Sequence, residues 1–134
     1  MLKRLLIAGL FVAATSPALA NPCGFSERGR LVVTGYDVGE TAIPADQKAK
    51  LDEFAETAKF RDGVCVFAQV DEQGSKEANV RVATKRAETV RKYLISQGVP
   101  AEAIKMAEQE EAFTFFGLLS KDQKNDRRVF VTHN

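Results

Sequence analysis

Residues 68–90 read AQVDEQGSKEANVRVATKRAETV, and the fold turns on how this stretch divides. It opens on the end of a short apolar run, Val64 to Val70, bounded by turn residues, and that length and those bounds predict an interior β-strand. Asp71 to Ser75 form a loop around Gly74. From about Lys76 to Gln97 the chain predicts a long helix, stopped at Gly98 with Pro100 beyond it. At about 100° per residue, Ala83, Ala87, Val90 and Leu94 share a stripe roughly 60° wide, the face to be laid on a sheet. Arg81, Lys85 and Lys92 lie opposite that stripe, toward water.

Arg86 does not follow this division. It projects roughly 60° from the centre of the stripe, on the flank shared by Asn79 and Val82, so its guanidinium is expected to emerge at the seam between helix and sheet. Asp71 closes the preceding strand at the same end of the sheet. A carboxylate and a guanidinium then face each other over a shallow cleft, and two readings are open. Either they form a direct salt bridge, worth under about 1 kcal/mol if exposed, or they are held apart and grip a zwitterion. In the second case Asp71 takes an ammonium group and Arg86 binds a carboxylate through its two-pronged fork.

Outward from this stretch, RLVVTGY at Arg30 to Tyr36 is apolar and β-branched and predicts a first strand. Asp37 to Thr41 is a polar turn. Pro44 suits a first helical position, and Leu51, Phe54, Ala55 and Ala58 recur at helical spacing until Arg61-Asp62-Gly63 ends the helix. Ile104 to Glu108 predicts a short strand, Glu108 to Glu111 a solvated acidic turn or helix start, and RRVFVT at Arg127 to Thr132 a closing strand. No repeat, low-complexity tract or linker interrupts the order. The expected fold is α+β, a two-layer βαβαββ sandwich with a mixed four-stranded sheet and two main helices on one face. The N-terminal segment is expected to cross the other face, pinned by a disulfide between Cys23 and Cys65.

The first twenty residues are set apart from this domain, which is expected to span 21–134. MLKRLLIAGLFVAATSPALA has Lys3 and Arg4, an apolar run from Leu5 to Ala14, and the small-residue pattern Ala18-Leu19-Ala20. It reads as a secretory signal peptide cleaved after Ala20, too short and wrongly flanked for a membrane span. Cys23 follows closely, but Pro22 before it argues against a lipidated cysteine and for a protein free of the membrane in the periplasm. An even pair of cysteines in an oxidising compartment tends to join. The bridge would close a loop of about forty residues, worth roughly 3 to 4.5 kcal/mol on the chain-entropy model.

Charge and side-chain inventory exclude several functions. The chain holds 19 Lys and Arg against 18 Asp and Glu; without Lys3 and Arg4 the balance is 17 to 18. A neutral domain offers no footprint for polyphosphate, so nucleic acid is not an expected partner. His133 is the only histidine; it is expected to be a solvated residue near the end of the chain and leaves no multi-histidine metal site or Ser-His nucleophile. The cysteines are too far apart for a redox pair of the C-x-x-C kind. Glu108, Glu110 and Glu111 read as solvated surface rather than glycosidase carboxylates, and no phosphate-cradling glycine pattern is present. No cofactor and no enzymatic activity are expected.

Asp71-x-x-Gly74, Asn79 and Val82-Ala83-Thr84-Lys85-Arg86-Ala87, with Asp126-Arg127-Arg128-Val129 near the end, resemble the OmpA-like peptidoglycan-binding domain. That family is written TDxxGxxxxNxxLSxxRA, then NRRV some forty residues on. The resemblance runs from about Leu31 to Thr132 and includes Tyr36-Asp37 where the family has Phe-Asp. It implies non-covalent attachment to peptidoglycan through meso-diaminopimelate in the stem peptide, with Asp71 and Arg86 clasping the free end of that residue. Asn79 lines the same pocket by position, and Tyr36, Asp37 and Arg127 are its wall. Such a domain anchors or adapts an envelope assembly, with envelope proteins as further partners.

The chain departs from the pattern in several places. Ala68-Gln69-Val70 stands for Gly-His-Thr, Val82-Ala83 for Leu-Ser, and Asp126 for the asparagine of NRRV, while Gln123 falls where another arginine is common. Between Met106 and Leu119, Glu110, Glu111, Phe113, Phe115 and Phe116 replace the usual Gly-x-Gly-x-x-x-Pro loop. These departures keep open a rival reading, a protein-interaction module whose wall site is degenerate.

Overall fold

The computed structural model describes residues 21–69, 75–107 and 127–134. The leader expected at 1–20, the loop carrying Asp71 and Gly74, and the segment carrying Glu110, Phe113, Phe115, Phe116, Gln123 and Asp126 lie outside them. The elements are β1 (Gly29–Val33), a 3-10 turn at Ala45–Gln47, α1 (Lys48–Ala58), β2 (Val64–Ala68), α2 (Lys76–Ser96), a 3-10 turn at Ala101–Ala103, β3 (Ile104–Met106) and β4 (Val129–His133). The sheet order is β1-β4-β2-β3. β4 runs antiparallel to both β1 and β2, and β3 runs parallel to β2. The mixed four-stranded sheet is as the sequence predicts.

The pleat sorts the side chains into two cores. Val64, Val66 and Ala68 of β2, with Val129 and Val131 of β4, meet Leu51, Ala55 and Ala58 of α1 and Ala83, Ala87, Val90 and Leu94 of α2. Both helices therefore cover one face, and the stripe predicted on α2 is the buried one. The alternate residues Cys65, Phe67 and Phe130 form a second cluster on the opposite face. There Phe67 and Phe130 stack at 5.2 Å between centroids with planes 5° apart. All five residues of β2 are buried, as a strand covered on both faces requires.

The N-terminal segment covers that second face. Cys23 is bridged to Cys65, Phe25 packs on the Phe67 cluster, and Asn21 Nδ2 donates to Thr132 Oγ1 at 3.0 Å. The same asparagine turns the chain by accepting from the Cys23 amide at 3.1 Å through Oδ1.

Several element boundaries differ from expectation. β1 ends at Val33, because the chain leaves the sheet through Gly35 at φ 86° before reaching Tyr36. The helical stretch after Pro44 begins as a 3-10 turn, and α1 itself ends at Ala58. β4 reaches His133, and this overturns the expectation that His133 is solvated. His133 is buried, pairs in register with Gly29 on β1 and Val64 on β2, and tilts against Phe54 at 5.3 Å between centroids. Gly29 makes the room: a Cβ there would lie 2.2 Å from His133 Nε2.

Candidate functional site

α2 carries one of the expected residues, Arg86, into the molecule's interior. Ser75 caps the helix, its Oγ accepting from the Ala78 amide at 3.4 Å. Arg86, three turns on, is 2% exposed and is the largest of the fully buried side chains among the described residues. The guanidinium therefore does not emerge at the helix–sheet seam as the helical wheel predicts. It turns inward to the segment between β1 and α1, where main-chain carbonyls and an aromatic face receive it.

That segment is shaped to receive it. The Glu40 amide bonds the Asp37 carbonyl at 3.1 Å, and Gly39 sits at φ 73°, the left-handed value a type II turn demands at its third position. Arg86 Nε donates to the Glu40 carbonyl at 2.6 Å, and Nη2 donates to the Asp37 carbonyl at 2.9 Å. One edge of the planar fork thus holds both ends of the turn. The guanidinium carbon lies 4.8 Å from the centre of the Tyr36 ring, a cation–π distance. The edge carrying Nη1 takes no part in these two bonds.

The closing segment meets the same place from the other side. Arg127 Nε donates to the Tyr36 carbonyl at 2.9 Å. Arg128 Nε donates to Gln69 Oε1 at 2.7 Å, and the Gln69 amide bonds the Arg128 carbonyl at 3.0 Å, which ties the end of β2 to the start of β4. Tyr36 is buried, and its hydroxyl has no hydrogen-bond partner. Burial pushes that hydroxyl up to about 12, partly offset by the Arg86 charge. Asp37 is exposed and Asn79 half-buried, the latter on the Arg86 flank of α2.

Of the six residues expected at the site, these bonds and contacts join Tyr36, Asp37, Arg86 and Arg127. Asn79 shares the helix flank, and Asp71 lies outside the described residues. The Glu40 carbonyl and the Gln69–Arg128 pair were not anticipated. Gln69 was visible only as a departure from the family pattern, and a main-chain carbonyl leaves no mark in a sequence. Among the described residues no group of three or more His, Cys, Asp or Glu is placed to hold a metal, and no helix is long and apolar enough to cross a membrane.

The chain is a small two-layer α+β domain with an arginine of its long helix sunk against the segment between β1 and α1. The OmpA family model matches residues 35–128, and the chain belongs to that family, whose domains bind peptidoglycan without enzymatic activity. The chain is 36% identical over 72 residues to the peptidoglycan-associated lipoprotein of Rhizobium meliloti (strain 1021), an alignment covering 52% of this chain and 41% of that relative. With the same-named protein of Agrobacterium fabrum (strain C58 / ATCC 33970) it shares 33% over 72 residues, again 41% of the relative. The match thus spans less than half of either relative.

The fold is shared with solved structures, two of which illustrate the match. The peptidoglycan-associated lipoprotein from Burkholderia pseudomallei superposes with a TM-score of 0.61 at 23% identity, covering 77% of this chain and 89% of that one. The periplasmic domain of Helicobacter pylori MotB (residues 78–256) superposes with a TM-score of 0.62 at 17% identity, covering 81% and 76%.

Proposed function

We propose that this domain binds the cell wall non-covalently by holding meso-diaminopimelate of the peptidoglycan stem peptide, and that it serves in the periplasm as an adaptor or wall-binding subunit of an envelope assembly. A signal peptide cleaved after Ala20 would deliver it there. The relatives named peptidoglycan-associated lipoprotein support an envelope location, and the pairing of Cys23 with Cys65 suits an oxidising compartment.

The observation that carries the reading is the placement of Arg86. Burying a cation costs several kcal/mol unless its partners are well arranged, yet this one is sunk beside Tyr36 with one edge of its fork fastened to the 37–40 turn. In this reading the turn holds the fork in register for a ligand carboxylate, and Asp71 takes the ammonium group. Because the guanidinium is covered, ligand entry displaces part of its surroundings. Asn79, Asp37 and Arg127 shape the rim.

The same geometry also favours a second reading. An arginine that is 2% exposed and bonded to two carbonyls is a good brace for a loop, and a brace needs no ligand. The domain would then be a protein-interaction module with a degenerate wall site.

Sedimentation with purified sacculi separates the two. Under the first reading the wild-type protein pellets and Asp71→Asn stays in the supernatant with an unchanged circular dichroism spectrum. Wild-type protein left in the supernatant supports the second reading. Equal pelleting of both forms removes Asp71 from the site.

A further inference from the structure

Tyr36 carries an atom for which the fold has no use. Its side chain is 3% exposed, and its hydroxyl oxygen is the one buried side-chain polar atom among the described residues with no hydrogen-bond partner. Native interiors rarely strand such a group, and each one opposes folding. Phenylalanine would fill the same space at no such cost.

The ring is fixed from two directions. Arg86 stacks over it at 4.8 Å, and Arg127 holds its main-chain carbonyl at 2.9 Å. The guanidinium thus lies over the ring that bears the neutral hydroxyl, on residues 50 positions apart in sequence, with the arginine held by the 37–40 turn. At neutral pH the hydroxyl keeps its proton, since burial pushes its ionisation up to about 12.

We propose that the Tyr36 hydroxyl is a ligand contact, donating a hydrogen bond to the carboxylate that Arg86 attracts, so that its missing partner is supplied only in the bound state. This rests on the diaminopimelate reading above and adds to it a specificity-determining group. A carboxylate offers several lone-pair sites, enough to accept from the guanidinium and from the hydroxyl together. The hydroxyl then weakens the free protein and strengthens the complex, a combination that a packing role does not produce.

The test is calorimetric titration of the protein and its Tyr36→Phe variant with meso-diaminopimelate, alongside thermal melts without ligand. The expected result is that Tyr36→Phe melts at or above the wild-type temperature and binds about ten-fold more weakly, the loss for one hydrogen bond to a charged group. If wild type binds and Tyr36→Phe binds equally well, the hydroxyl is idle and this inference fails while the diaminopimelate reading stands. If Tyr36→Phe melts well below wild type, the hydroxyl is structural and the inference also fails. Absence of wild-type binding overturns both.

Discussion

A single missing side chain governs the edge of the sheet nearest the chain's end. Gly29 on β1 faces His133 on β4, and the imidazole occupies the volume a Cβ would fill. Gly29→Ala forces the ring off Phe54 or pushes β1 away from β4. A loss of about 1 to 3 kcal/mol is expected, the usual range for overpacking, read as a lower urea midpoint. His133→Ala in the same chain should recover part of it, so the two changes are not additive. His133 was expected in solvent because it is polar and stands one residue from the end. What buries it is the register of β4, and register follows from all the strand partners together. Arg86 teaches the same lesson: its flank of α2 was legible from spacing alone, but its burial depends on the carbonyls of Asp37 and Glu40, atoms every residue carries.

The long helix was the most legible element, since its buried stripe and its stop signal both stand in the sequence. The structure closes it with paired bonds: the Gly98 amide to the Ile95 carbonyl at 3.0 Å and the Val99 amide to the Leu94 carbonyl at 3.1 Å. Gly98 sits at φ 98° and Val99 is buried, which is the Schellman arrangement with its hydrophobic contact. Gly98→Ala should cost about 1 kcal/mol or somewhat more, because an alanine pays for the left-handed conformation. The change should lower the midpoint of urea unfolding and leave its slope unaltered. The strands were less legible at their ends. Strand-favouring residues continue past Val33 in the form of β-branched Thr34 and aromatic Tyr36, and the left-handed conformation at Gly35 takes them out of the sheet.

At the scale of the molecule, the helices seal one face of the sheet and a strap of five residues, Asn21 to Phe25, helps seal the other. The Cys23–Cys65 bridge joins residues 42 apart and fastens that strap. Reduction, or Cys23→Ser with Cys65→Ser, should cost about 2 to 5 kcal/mol, measured as the difference in unfolding free energy with and without reductant. Non-reducing electrophoresis that finds two free thiols in the native protein would contradict it. After mild reduction α1 and α2 should keep their amide protection near that of the oxidised protein, while Cys23 and Phe25, whose amides bond Asn21 Oδ1, lose theirs.

The strap has a bearing on where the chain can mature. Without the sulfur link, the Asn21–Thr132 hydrogen bond and the packing of Phe25 remain, among the described residues of the strap, to hold it over Phe67 and Phe130. Under the export proposed above, a newly made chain in a reducing cytosol lacks that link and keeps the two rings more open to water. An oxidant met at that destination then closes the Cys23–Cys65 link and fastens the cover.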